Sequence, residues 1–138
     1  MSDTHIPKAL RLQVIERAND CCEYCRLSQS DNFFTFHIDH IISEKHGGST
    51  TADNLCLSCP NCNICKGSDI AGADPQTQNS TFLYNPRSQM WNEHFELDSG
   101  YISGKTPEGR LTIFLLKFNE IEQITERIEL EKLGSYPC

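Results

Sequence analysis

Positive charge is what this chain has little of. Twelve Lys and Arg stand against 19 Asp and Glu, a formal net charge of −7 over 138 residues. Neither half makes up the deficit: residues 1–70 hold six basic and nine acidic side chains, and residues 71–138 hold six and ten. Such a balance disfavours tight, unassisted binding to a polyanion, because that affinity comes largely from neutralised phosphates. Long apolar runs are missing too. Nothing approaches the ~20 apolar residues that a membrane-spanning helix needs, so no membrane role is expected. The opening Met1-Ser2-Asp3-Thr4-His5 has neither the basic start nor the apolar stretch of a secretory signal. The expected location is therefore cytoplasmic. There is no internal repeat and no low-complexity tract. By length the chain is one domain, or a compact core with an appendage.

Cysteine, in contrast, is abundant: there are eight. In a small secreted chain that number would mean disulfides, whereas in a reducing compartment it favours metal. Cys22-Glu-Tyr-Cys25 and Cys59-Pro-Asn-Cys62 are two Cys-x-x-Cys pairs, each able to give a tetrahedral zinc two thiolates with little strain. Cys56/Cys59 and Cys62/Cys65 have the same spacing, so the pairing stays open on spacing alone. The 33 residues between Cys25 and Cys59 are many for a lone zinc ribbon. They make sense if other structure is threaded between the knuckles. Cys138 reads as an exposed terminal thiol, and Cys21, Cys56 and Cys65 have no evident role.

Local patterns place these residues on elements. Pro7 to Ala18 predicts a helix, with Leu10, Val14, Ile15 and Ala18 on one face. Phe33 to Ile42 is rich in aromatic and β-branched residues and predicts a strand. Ser43 to Thr51, with Gly47-Gly48, predicts a loop, and Asn54-Leu55 leads into a second strand. Pro60 to Lys66 predicts a short helix that starts at proline and ends at Gly67. Ser68 to Ser80 is polar and loop-like. Phe95 to Ser103 predicts a hairpin turning at Asp98-Ser99-Gly100. Leu111 to Phe118 is apolar throughout, and periodicity leaves helix and strand open there. Asn119 and Glu122 have capping-box spacing ahead of a final helix carrying Ile121, Ile124 and Ile128 on one face. Trp91 and Phe95 suit a satellite core better than a base-stacking platform.

Asp39-His40, Gly47-Gly48, Asn54-Leu55 and Cys59-x-x-Cys62-Asn63-x-x-Lys66-Gly67 together resemble the HNH endonuclease family in both order and gaps. The core of the likeness runs from about Arg11 to Gly67. A weaker likeness, to the tail of small stand-alone bacterial members, continues through Asn85-Pro86-Arg87, Trp91, His94-Phe95 and Thr106-Pro107-x-Gly109-Arg110. The resemblance implies an α+β protein: a zinc-stabilised ββα-metal core over residues 1–70, with an N-terminal helix, and a mixed hairpin and helix extension over 71–138. Its register selects Cys22, Cys25, Cys59 and Cys62 as the zinc ligands. It makes His40 the general base. It places a catalytic divalent ion, Mg²⁺ or another such as Mn²⁺ or Ni²⁺, between Asp39 and Asn63. Asn54 would hold the active-site loop, and Lys66 would face a phosphate at the mouth.

One geometric difficulty accompanies this scheme. Adjacent side chains on a strand point to opposite faces, so Asp39 and His40 cannot both face one site unless the strand ends or distorts there. His37 shares a face with Asp39 by alternation and is either a further ligand or phosphate contact, or a core histidine. The implied activity is metal-dependent hydrolysis of DNA phosphodiesters. The alternatives are a zinc-knuckle module that binds DNA or protein without cutting, and a nuclease acting on RNA. Phosphate contacts are expected from Lys45 and Lys66, with Arg87 and Arg110 further out. The acidic final helix, with Glu120, Glu122, Glu126, Glu129 and Glu131, is expected to face away from DNA, packing on the core, a protein partner or a second copy in a homodimer.

Overall fold

The computed structural model describes residues 5–138. Helix α1, Lys8–Arg17, starts one residue after Pro7, whose ring pre-sets the entering backbone and whose missing N–H is no loss at that position. Val14 is its fully buried residue and packs with Ile6 and Leu55. After Ala18, Asn19 and Asp20 both take left-handed backbone angles, which their short polar side chains tolerate, and the chain turns into the first cysteine knuckle.

Strand β1, His37–His40, pairs antiparallel with β2, Leu55–Ser58, with Asp39 opposite Cys56 and His40 opposite Leu55. The strand expected over Phe33–Ile42 is thus shorter. Its first part is pulled off the ladder by Gln29, whose side-chain amide takes the Phe36 N–H (2.6 Å) and donates to the Phe34 carbonyl (2.9 Å). Helix α2, Pro60–Lys66, follows β2. Cys59 is its N-cap, its sulfur accepting the Cys62 N–H, and Gly67 closes it. The order strand, loop, strand, helix is the expected one.

Beyond residue 70 the stretch expected to be a loop contains a small hairpin, β3 (Ala71–Ala73) with β4 (Ser80–Phe82). Asp74 organises its connection. Its N–H reaches Asn79, and its buried carboxylate takes Thr77, the Gln76 N–H and the Arg110 guanidinium. Three-residue strands such as Ala-Gly-Ala and Ser-Thr-Phe have no readable periodicity. Then come α3 (Trp91–His94) and the expected hairpin of β5 (Phe95–Asp98) and β6 (Tyr101–Gly104), turning at Ser99-Gly100 with both backbones left-handed. The apolar run resolves as helix α4, Pro107–Leu115, capped by Thr106, whose hydroxyl accepts the Gly109 N–H.

The last helix, α5, spans Ile121–Lys132 and does not use the expected capping box. Glu120 is its N-cap, without a side-chain bond, because Asn119 is spent elsewhere: its amide exchanges two hydrogen bonds with the Ile102 backbone of β6. Ile121 is exposed, and the buried residue of α5 is Arg127, which donates to the carbonyls of Gly100 and Phe118.

The fold is α+β, helices around three two-stranded antiparallel sheets among the described residues. One apolar core joins Tyr24 and Leu57 of the first half to Trp91, Phe95, Ile102, Leu111, Leu116 and Phe118 of the second. Trp91 and Phe95 therefore belong to the main core. Trp91 also donates to the Tyr24 carbonyl. Cys138 is not an exposed thiol: it forms a disulfide with Cys21, at a Cα–Cα distance of 5.7 Å. Two neighbouring bonds bring the tail there, from the Tyr136 hydroxyl to the Cys25 carbonyl and from the Cys138 N–H to the Arg26 carbonyl. The partner residues are far apart in sequence, which is why spacing did not suggest them. No helix among the described residues is long and apolar enough to cross a membrane.

Candidate active site

Two buried clusters lie within the span from Cys22 to Gly67. The first is the sulfur cluster. The Sγ atoms of Cys22, Cys25, Cys59 and Cys62 all fall within 4.8 Å of one another, and those of Cys25 and Cys59 are 3.7 Å apart. A tetrahedron with zinc–sulfur bonds of ~2.3 Å has edges of about 3.8 Å, so these four could hold zinc. Burial pushes the Cys22 thiol up, but hydrogen bonds from Cys25, Cys59 and Cys62 outweigh this and bring it well below the usual thiol range. The thiols of Cys25 and Cys62 go the other way, raised first by their bonds to Cys22. Cys56 is buried beside it and is raised by burial and by Asp39.

The second cluster centres on Asp39. Its carboxylate accepts the Tyr24 hydroxyl (2.8 Å) and pairs with the Lys66 ammonium (3.2 Å), which also donates to the His40 carbonyl (3.0 Å). Burial raises the Asp39 carboxyl, and Lys66, Tyr24 and Cys56 pull it partly back. Lys66 is thus not at the mouth of the site. It is only 2% exposed, because a buried carboxylate on β1 needs a cation and Lys66, in the last turn of α2, is within reach.

Asp39 and His40 open onto one cleft of about 770 Å³, with His37 beside them and Asn63 of α2 across it. His40 is the last residue of β1 and still pairs in register with Leu55, so alternation holds and the two side chains leave the strand in different directions. The Asp39 carboxylate lies under the cleft among Tyr24 and Lys66, while the His40 ring turns to the following loop. There the His40 Nε2 meets the Thr50 hydroxyl at 2.9 Å and the Glu44 carboxylate at 3.6 Å.

Asn54 clamps that loop: its side chain takes the Ile42 N–H and donates to the Ile42 and Ser49 carbonyls. Gly48 permits the close approach. A Cβ there would overlap the Ile42 carbonyl oxygen and lie 2.8 Å from the Asn54 amide nitrogen.

Of the cations expected to meet phosphate, only Lys45 lines the cleft. Arg87 is paired with Glu23, and Arg110 with Asp74. Arg11 of α1 joins Lys45 there and was missed, as were Thr50 and Glu44. Its spacing of three from Lys8, on the polar side of α1, was the available signal. Thr50 and Glu44 had none, since their place depends on how the Gly-Gly loop folds back.

Residues 22–69, which contain both clusters, match the model of the HNH family, described as HNH endonuclease. This stretch is an HNH domain. A curated relative, "Septu protein PtuB" from Bacillus thuringiensis, is 21% identical over 117 residues, covering 83% of this chain and 43% of its own length. The chain thus spans less than half of that relative. No solved structure matches the chain.

Proposed function

We propose that this protein is a metal-dependent DNA endonuclease whose HNH domain hydrolyses phosphodiester bonds in the cleft between β1 and α2. One observation carries the reading: Asp39, His40, His37 and Asn63 meet on a single open cleft, backed by a four-cysteine cluster. In this reading residues 1–70 are a nuclease core stapled by zinc at Cys22, Cys25, Cys59 and Cys62. Residues 71–138 are an extension packed on it.

A divalent ion such as Mg²⁺ or Mn²⁺, when bound, supplies charge stabilisation at the scissile phosphate and the leaving oxygen. Asp39 and Asn63 are the oxygen donors that would hold it, a carboxylate and an amide as hard cations prefer. His40 takes the proton from the attacking water. Thr50 and Glu44 already engage Nε2, so Nδ1, which has no hydrogen-bond partner among the described residues, is the nitrogen left for that proton. Asn54 holds the loop that fixes the ring. In-line attack would leave 5′-phosphate and 3′-hydroxyl ends.

A second reading, a zinc-knuckle module that binds without cutting, draws on one observation: the Asp39 carboxylate already has a cation in Lys66. Plasmid cleavage with Mg²⁺, Mn²⁺ or Ni²⁺, alongside an RNA of equal length, separates these. The parent protein should cut DNA. His40→Ala should lose at least the 10²–10⁴-fold that a general base supplies while keeping its fold and its zinc. A His40→Ala protein that cuts as fast as the parent overturns the proposal.

A further inference from the structure

We infer that Phe33 and Phe34 form a stacking platform for unpaired bases beside the cleft, so that the preferred substrate is single-stranded or locally unpaired nucleic acid. The inference rests on the nuclease reading above and names its substrate class. Phe33 is 96% exposed and Phe34 67%, their ring centroids 5.6 Å apart in an edge-to-face pair. Two adjacent aromatic rings in water have no folding reason to be there.

They are also held in place. Gln29 bonds the backbone on both sides of Thr35, at the Phe34 carbonyl and the Phe36 N–H, while Phe36 itself is buried. The next residues, Thr35 to His40, line the cleft. The platform is therefore tethered one residue from the site. Across the cleft, Ile64 of α2 lines the opening and is 76% exposed, a second apolar surface where a solvated ion site alone would need none.

Charge points to the same occupant. Of the twelve basic residues, eight are engaged inside the protein through carboxylates, carbonyls or, for Arg26, the Trp91 ring. Lys8, Arg11, Lys45 and Lys117 remain, and two of these, Arg11 and Lys45, line this cleft. Two cations can hold the backbone of one strand but not the many phosphates of a duplex face. Sequence-tolerant binding of single strands combines just these parts, a few cations along the backbone and aromatic faces under the bases. A duplex keeps its bases stacked and offers the rings nothing.

The test uses the full-length protein and a fluorescein-labelled 20-base DNA, single-stranded or annealed, at low salt without added divalent ion, read by anisotropy. Single strand should bind at least tenfold tighter than duplex. Phe33→Ala with Phe34→Ala should lose roughly 5- to 150-fold for each base stacked, and Phe33→Tyr with Phe34→Tyr should retain binding. Phe82→Ala, an exposed ring elsewhere, should change nothing. Circular dichroism should show the alanine pair folded.

Equal binding of single strand and duplex, or an alanine pair that binds like the parent, overturns the platform. So does sedimentation showing that the alanine pair converts a dimer to a monomer with strand binding intact, because the rings then serve a protein interface. An alanine pair that still cuts single-stranded DNA as fast as the parent ends this inference and leaves the nuclease reading standing. A protein that binds neither strand and cuts nothing ends both.

Discussion

In the buried ion pair of Asp39 and Lys66 the proposed function and the stability of the fold meet. Removing one partner of a buried ion pair leaves the other uncompensated, at about 3–5 kcal/mol. Lys66→Met should therefore destabilise the protein by that order in urea melts, and should abolish cleavage because a lone buried Asp39 takes up a proton. Adding Asp39→Asn should restore most of the stability and none of the cleavage. If Lys66→Met is as stable as the parent, the pair is not what holds β1 to α2. At this scale the sequence was half legible. The Asp39, His40, Asn54 and Asn63 pattern stood out through its resemblance, in order and gaps, to the HNH endonuclease family. What Lys66 touches did not, since a lysine near a motif reads as solvent-facing until burial is known.

Elements were legible wherever a period or a punctuating residue marked them. Pro60 and Gly67 bracket α2, and Ser99-Gly100 turns the β5–β6 hairpin. Missed features depend on side chains that replace backbone partners: Gln29 shortening β1, Asp74 ordering the β3–β4 connection, and Asn119 leaving its expected cap for β6. Helix α5 extends this lesson. Its isoleucines suggested an apolar seam, yet its anchor is Arg127, with bonds to the Gly100 and Phe118 carbonyls and to the Asn119 amide oxygen. Arg127→Met keeps the apolar stem and removes those donors. With two buried carbonyls left short, a loss of about 2 kcal/mol or more is expected from denaturant unfolding. A loss under about 1 kcal/mol would mean that α5 is held by its isoleucines after all.

Over the whole molecule the Cys21–Cys138 disulfide and the proposed zinc staple lie near one point, and they are separable. Cys59→Ser should remove bound zinc and cooperative folding together, because metal binding in small modules supplies on the order of 10–16 kcal/mol. Cys138→Ser should keep zinc but lower the melting temperature, since the bond with Cys21 spans 117 residues and loss of such a link typically costs about 2–5 kcal/mol. Zinc content by elemental analysis and melting with and without reductant read both. An unchanged melt in Cys138→Ser would show the disulfide to be dispensable.

Acid should act elsewhere, at Asp74, whose carboxyl the Arg110 guanidinium holds below the usual carboxylate range, helped by the Gln76 N–H and Thr77. A carboxyl depressed by folding stabilises fully above the unfolded value of ~3.9 and loses that contribution as pH falls toward its folded value. Parent stability should thus decline below about pH 4, and Asp74→Asn should be less stable at neutral pH with a flatter acid limb. An equally steep limb in Asp74→Asn would place the acid-sensitive group elsewhere.

The paired glycines of the active-site loop are not equivalent. Gly47 has φ +88° and nothing within 4 Å of a built Cβ. It answers to backbone conformation alone, which asparagine or aspartate can also adopt. Gly48 answers to volume, with the Ile42 carbonyl and the Asn54 amide filling the space where any side chain would begin. Two identical letters therefore have different latitude under mutation. The first can drift among a few polar residues while the loop keeps its shape. The second cannot change without moving the backbone, because the Ile42 carbonyl oxygen would lie 1.6 Å from any Cβ, whatever stands at position 54.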